Sequence, residues 1–242
     1  MRIVTPDQRL RLAPHVRACA SDGQVILLDL QKSAYLGIDG AQCGALADRV
    51  DGWPRIPDSV RECTTFEAAH HTLVSLFERG LLTDAPSKQP PHATVEEVTS
   101  SLNAEDNSPN AGIGTRRLAR FLRSAAQTTL WLRGRSLQAI AMAVQARRDR
   151  LQSPSTPCSL ESVRTGTAAY ERLRPFAFSA HKNCLHDSLS LVAFLASEGA
   201  FPRWVIGVKT RPFGAHSWVQ MGATVLNDQH EMVRQFRPIL VV

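Results

Sequence analysis

No run of apolar residues in this chain approaches the length needed to cross a bilayer, so no membrane-spanning segment is expected. The opening residues, MRIVTPDQRLRLAP, lack an apolar core after their basic positions, which argues against a signal peptide. Cysteine is scarce, with five in 242 residues, an odd number at irregular spacing and without a CxxC pair. That usage argues against a disulfide framework and against a zinc site, and it fits a cytoplasmic protein with reduced thiols and no metal or cofactor. What the chain does have is 43% hydrophobic residues, enough for well-filled cores and too many for disorder. At 26.6 kDa it holds one large domain or two small ones.

Charge is unevenly spread. Residues 1–84 carry nine Lys/Arg against eleven Asp/Glu; the whole chain is +6, so residues 85–242 carry +8. Between residues 115 and 150, Arg116, Arg117, Arg120, Arg123, Arg133, Arg135, Arg147, Arg148 and Arg150 face only Asp149. A stretch this basic can bind nucleic acid. Yet Leu118, Phe121, Leu122 and Ala125 stand at i, i+3, i+4, i+7, and Leu137, Ile140, Ala141 and Val144 repeat the set. The arginines then fall on the solvated faces of two amphipathic helices, and with no zinc-finger spacing or basic–aromatic interleaving beside them, no nucleic-acid partner is expected.

Residues 85–112, APSKQPPHATVEEVTSSLNAEDNSPNAG, are rich in Pro, Ser, Asn and acids. Such composition marks a linker, and it divides the chain into domains at 1–84 and 113–242. In the first of these, VRAC, QVILLDL and SAYLGI are three short apolar runs. Ser21-Asp22-Gly23 makes a turn between the first two, and Gln31-Lys32 separates the second from the third. Together they predict a three-stranded meander. Asp39 is placed to cap a helix whose apolar face is Cys43, Leu46, Ala47 and Val50, which makes Cys43 a core residue. Thr64-x-x-Glu67 has capping-box spacing ahead of a helix lined by Phe66, Ala69, Leu73, Leu76 and Phe77, and LLTD at 81–84 closes the unit.

The run from Asn183 to Asp228 bears chemistry. Cys184 opens a segment with Leu185, Leu189, Val192 and Leu195 at helical spacing, and a thiol in the first turn of a helix feels the positive end of its dipole. His216 lies in AHSWVQM, a half-buried strand, and Asp228 ends TVLND, a second strand joined to it by a turn around Gly222. Adjacent strands hold an imidazole beside a carboxylate, and a helix across them delivers the thiol, the order of parts in covalent catalysis. A lone cysteine is also a common buried hydrophobe, so the conjunction, and not any one residue, points to a cysteine hydrolase.

Cys, His and Asp on helix, strand and strand resemble the transglutaminase-like branch of the papain-type cysteine proteases. With CL at the helix start, WVIGV, AHSWV and VLND, the C-terminal 130 or so residues resemble the B protein of lasso peptide biosynthesis, its maturation protease. The resemblance implies Cys184 as nucleophile, His216 as general base and Asp228 as orienting acid. His186-Asp187 departs from the basic residue that members often carry near that place, and Asp187 stands where it would raise the thiol pKa. Three strands followed by helices, with SAYLGID at the join, resemble the PqqD-like leader-recognition element. The whole is then an α+β chain, a small winged-helix-like PqqD-type domain followed by a transglutaminase-like (papain-type) cysteine protease domain.

That likeness implies a leader peptide added as a strand to the sheet edge, with Tyr35, Leu36, Leu73 and Phe77 as candidate contacts. It also implies a precursor peptide as substrate, and an ATP-dependent, asparagine-synthetase-like cyclase as partner. Backbone N–H groups at the start of the Cys184 helix, with Asn183, are the expected oxyanion donors. The alternative is a non-catalytic adaptor that delivers the precursor to the cyclase.

Overall fold

The computed structural model describes residues 9–56, 66–85, 94–102, 113–151, 160–177 and 183–242. The chain mixes helix and sheet and divides into two compact units, residues Met1–His92 with Val208–Gly214 and residues Ala93–Gly207 with Ala215–Val242.

In the first unit the meander is β2 (Val16–Ser21), β3 (Gln24–Asp29) and β4 (Ala34–Ile38), antiparallel in the order β2-β3-β4. Asp22 (φ 47°) and Gly23 (φ 79°) both take the left-handed conformation, the turn whose twist matches the paired strands. At the next turn Asp29 accepts hydrogen bonds from the backbone N–H groups of Gln31 (2.8 Å) and Lys32 (3.0 Å). Helix α1 (Gly40–Ala47) follows Asp39, which occupies the N-cap without a side-chain cap bond. Val50 is not on that helix. It begins β5 (Val50–Asp51), paired with a strand that periodicity did not reveal, β1 (Leu10–Leu12).

Helix α2 (Phe66–Glu78) buries Ala69, Leu73 and Leu76, and the capping-box Thr64 lies outside the described residues. β6 (Leu82–Thr83), within the expected closing LLTD, pairs antiparallel with β1. One core joins Leu10, Leu12, Val25, Leu27, Leu46, Leu73 and Leu76. Cys43 is fully buried in it, where burial pushes its thiol pKa up, as a core cysteine requires.

The second unit sets four helices, α3 (Thr115–Gly134), α4 (Leu137–Leu151), α5 (Leu160–Leu173) and α6 (Cys184–Ser197), with a five-stranded sheet. The strands are β7 (Ser100–Ser101), β8 (Arg203–Thr210), β9 (Phe213–Met221), β10 (Thr224–Val225) and β11 (Arg237–Val241), with the short α7 (His230–Val233) before the last. Their order is β11-β8-β9-β10-β7. From Asp187 to Ala196 every residue of α6 is buried, the mark of a central helix, and α3 and α5 pack against it. Gly166 permits the α5 contact, since a Cβ there would meet Leu195 at 2.7 Å. Gly207 does the same for the sheet core, where a Cβ would strike the Trp218 indole at 2.7 Å.

Two expectations change here. Residues 94–102, read as linker, bury Val98 and add β7 in parallel to β10, with Ser100 and Thr224 hydroxyls 3.0 Å apart. The rest of that stretch, 86–93 and 103–112, lies outside the described residues. On α3 the buried line is Phe121, Ser124 and Thr128, whereas Leu118 and Leu122 are exposed. The packed face of α3 is thus rotated toward small and hydroxyl-bearing side chains. Leu137, Ile140, Ala141 and Val144 of α4 are buried as their spacing predicts. Arg148 leaves the solvated set: it is buried, donating to the carbonyls of Pro202 (2.6 Å) and Val242 (3.0 Å).

Candidate active site

Cys184 is the first residue of α6, where the leading N–H groups lack acceptors within the helix and present the positive end of its dipole. His216 projects from β9, and Asp228 stands just after β10, in the turn leading to α7. The three residues singled out in the sequence therefore meet. His216 Nε2 lies 2.6 Å from Asp228 Oδ2, while Asp228 Oδ1 accepts from the backbone N–H of Gln229 at 2.7 Å. With Nε2 committed to the carboxylate, Nδ1 is the nitrogen left for the thiol, and Cys184 and His216 are hydrogen-bonded partners. The imidazole is also held by aromatic rings, Trp218 stacked at 6.2 Å and Phe236 tilted at 5.2 Å between centroids.

The electrostatics follow from these contacts. The hydrogen bond to His216 draws the Cys184 thiol below its ordinary pKa; burial opposes this, and backbone hydrogen bonds at Ser217 and Leu185 assist. Burial alone would lower the His216 pKa, but the hydrogen bonds and charges of Asp228 and Cys184 outweigh it and push the value up to about 9. A thiol moved down and an imidazole moved up favour the thiolate–imidazolium pair over the neutral pair.

Asp187 does not act on the thiol as its position in the sequence suggests. Its carboxylate is buried and committed elsewhere: it accepts from Tyr170 Oη (3.1 Å) and Asn227 Nδ2 (2.9 Å), with Arg174 Nη1 at 3.5 Å. Asn227 Oδ1 in turn accepts from the Val219 N–H at 2.9 Å. This network joins α5, α6 and β9 to the residue immediately before Asp228. Tyr170 and Arg174 carry no motif that would disclose the role; only the fold brings them to Asp187. A second clasp holds the far side of the Asp228 turn. Ser101 of β7 accepts from the His230 N–H (2.7 Å) and lies 2.8 Å from His230 Nδ1. Asn183 occupies the N-cap of α6 without a side-chain cap bond. Among the described residues no cluster of His, Cys, Asp and Glu could hold a metal ion, and no helix is long and apolar enough to cross a membrane.

The four candidate peptide contacts divide. Leu73 is buried in the core of the first unit; Leu36 and Phe77 are partly buried against it; Tyr35 is partly buried on β4, the edge strand of the meander. Leu73 is thus a packing residue, and the other three keep some exposed surface.

Comparison with known proteins adds to this geometry. The microcin J25-processing protein McjB of Escherichia coli is 44% identical over 50 residues, which is 21% of this chain and 24% of that protein. The matched stretch thus spans about a quarter of that relative. No solved structure gives a significant match. Residues 122–241 match the family described as the transglutaminase-like superfamily, and Cys184, His216 and Asp228 all lie within the matched residues.

Proposed function

We propose that the protein is a cysteine peptidase that binds a ribosomal precursor peptide through its leader and cleaves leader from core during lasso peptide maturation. The observation that carries the chemistry is the hydrogen-bonded series from Cys184 to His216 to Asp228, with the thiol pKa lowered and the imidazole pKa raised. The likeness of one stretch to a microcin J25-processing protein supports a precursor peptide as the substrate. In this reading the Cys184 thiolate attacks the scissile carbonyl and His216 gives its proton to the departing amine. Asp228 holds the imidazole in the orientation both steps need. N–H groups at the start of α6 stabilise the oxyanion.

The leader is assigned to the first unit. Its meander offers β4 as an edge strand for main-chain pairing, beside partly exposed Tyr35, Leu36 and Phe77. This is the PqqD-like, winged-helix-like role, and it places the enzyme ahead of an ATP-dependent cyclase that uses the freed amine. The test compares a leader-bearing precursor with its leaderless counterpart, followed by mass spectrometry. Cleavage at one junction, far faster with the leader attached, supports the assignment. Equal rates for the two substrates would leave a general peptidase with an unrelated first unit.

A further inference from the structure

Four of the arginines that the sequence distributes over two solvated helix faces converge on one cleft of the second unit. Arg120 and Arg123 stand one turn apart on α3, with Gln127 a turn further, and Arg147 and Arg150 are one turn apart on α4. With Ser124 and Ser197 they line a cleft of about 420 Å3, to which Cys184, His216 and Asp228 contribute nothing. Arg120 shares its charge with Glu198 at 3.3 Å. Among the described residues no carboxylate forms an ion pair with Arg123, Arg147 or Arg150. Half-buried Arg147 has its pKa lowered by burial and by the charges of Arg123 and Arg150. Like charges gathered in a concave site repel one another until an anion joins them.

We propose that this cleft binds a compact phosphate polyanion, supplied either as inorganic polyphosphate or as the phosphate chain of a nucleotide. Guanidinium forks meet phosphate oxygens in pairs, and three uncompensated charges match an anion of three or more charges better than a single carboxylate. Among the described residues no aromatic side chain lines the cleft, so the phosphate chain and not a stacked base is taken as the recognised part.

Calorimetric titration of the full chain with tripolyphosphate, ATP, adenosine and sulfate tests the assignment. One equivalent of tripolyphosphate should bind and adenosine should not. Affinity should fall at least about tenfold in Arg147→Gln/Arg150→Gln, because two of the three uncompensated charges are lost. It should stay within about twofold in Arg133→Gln/Arg237→Gln, two exposed arginines that do not line the cleft. Should the first double variant fold poorly by circular dichroism, exposed Arg123→Gln carries the same expectation. Similar affinity for tripolyphosphate and ATP assigns the site to the free polyphosphate chain, and markedly tighter ATP assigns it to a nucleotide. Sulfate binding as tightly as tripolyphosphate, equal weakening in both double variants, or no saturable binding would overturn the proposal.

Discussion

Cys184 and His216 titrate as a pair, and the signs fix how activity should depend on pH. The thiol lies below its ordinary 9.0 and the imidazole is raised to about 9, so a proton shared between them rests on the imidazole and the charged pair is favoured over the neutral one. As pH rises through about 9 the imidazolium loses its proton and, with it, the ability to protonate the leaving amine. The rate should therefore decline on an alkaline limb near that value. Asp228→Asn removes the charged partner that raises the imidazole, so this limb should move toward lower pH and kcat should fall roughly 100-fold. An unmoved limb in a pH–rate profile would mean that another group orients the ring.

Asp187 provides a second residue-scale prediction. Asp187→Ala would leave Asn227 Nδ2 and Arg174 Nη1 without their carboxylate partner, while Tyr170 Oη would keep only the backbone carbonyl of residue 187 as acceptor. A loss of about 2 kcal/mol in denaturant unfolding is expected, since an orphaned buried donor costs on the order of 1–3 kcal/mol. The sequence made the candidate triad legible because the order of its residues and the elements that bear them are local features. It could not show that Asp187 turns to Tyr170 and Arg174, because those partners depend on how α5 packs on α6.

At the scale of elements, legibility followed the strength of the periodic signal. The meander, the Cys184 helix and the buried face of α4 were readable from spacing and turn residues. The burial of α3 was not, because Ser124 and Thr128 replace the large apolar side chains that such patterns count. β1 and β7 were hidden for a different reason. Strands of two or three residues are too short to display an alternation, even where side chains such as Leu10 and Leu12 are buried, and VEEVTSSL has the composition of a linker. β7 nevertheless bears on the site, since Ser101 holds His230 two residues beyond Asp228. A fragment starting at Gly112 should therefore melt at a lower temperature and turn over substrate more slowly than one starting at Ala93. Differential scanning calorimetry and a cleavage assay would detect this; identical behaviour would show that β7 contributes nothing to the second unit.

For the whole molecule, capture of the leader is proposed for the first unit and hydrolysis for the second. A fragment ending near Asp84 should then bind leader peptide unaided, because its helices and sheets share a core of their own. Holding the leader raises the local concentration of the scissile bond, so cleavage at low precursor concentration should exceed that of the isolated second unit. The most direct measurement pairs cleavage and binding on one variant: precursor is incubated with wild type and with Cys184→Ala, cleavage is followed by mass spectrometry, and leader affinity is measured alongside. The account predicts a single cut between leader and core that disappears in Cys184→Ala while leader affinity stays the same. Continued cleavage by Cys184→Ala at the wild-type rate would contradict it.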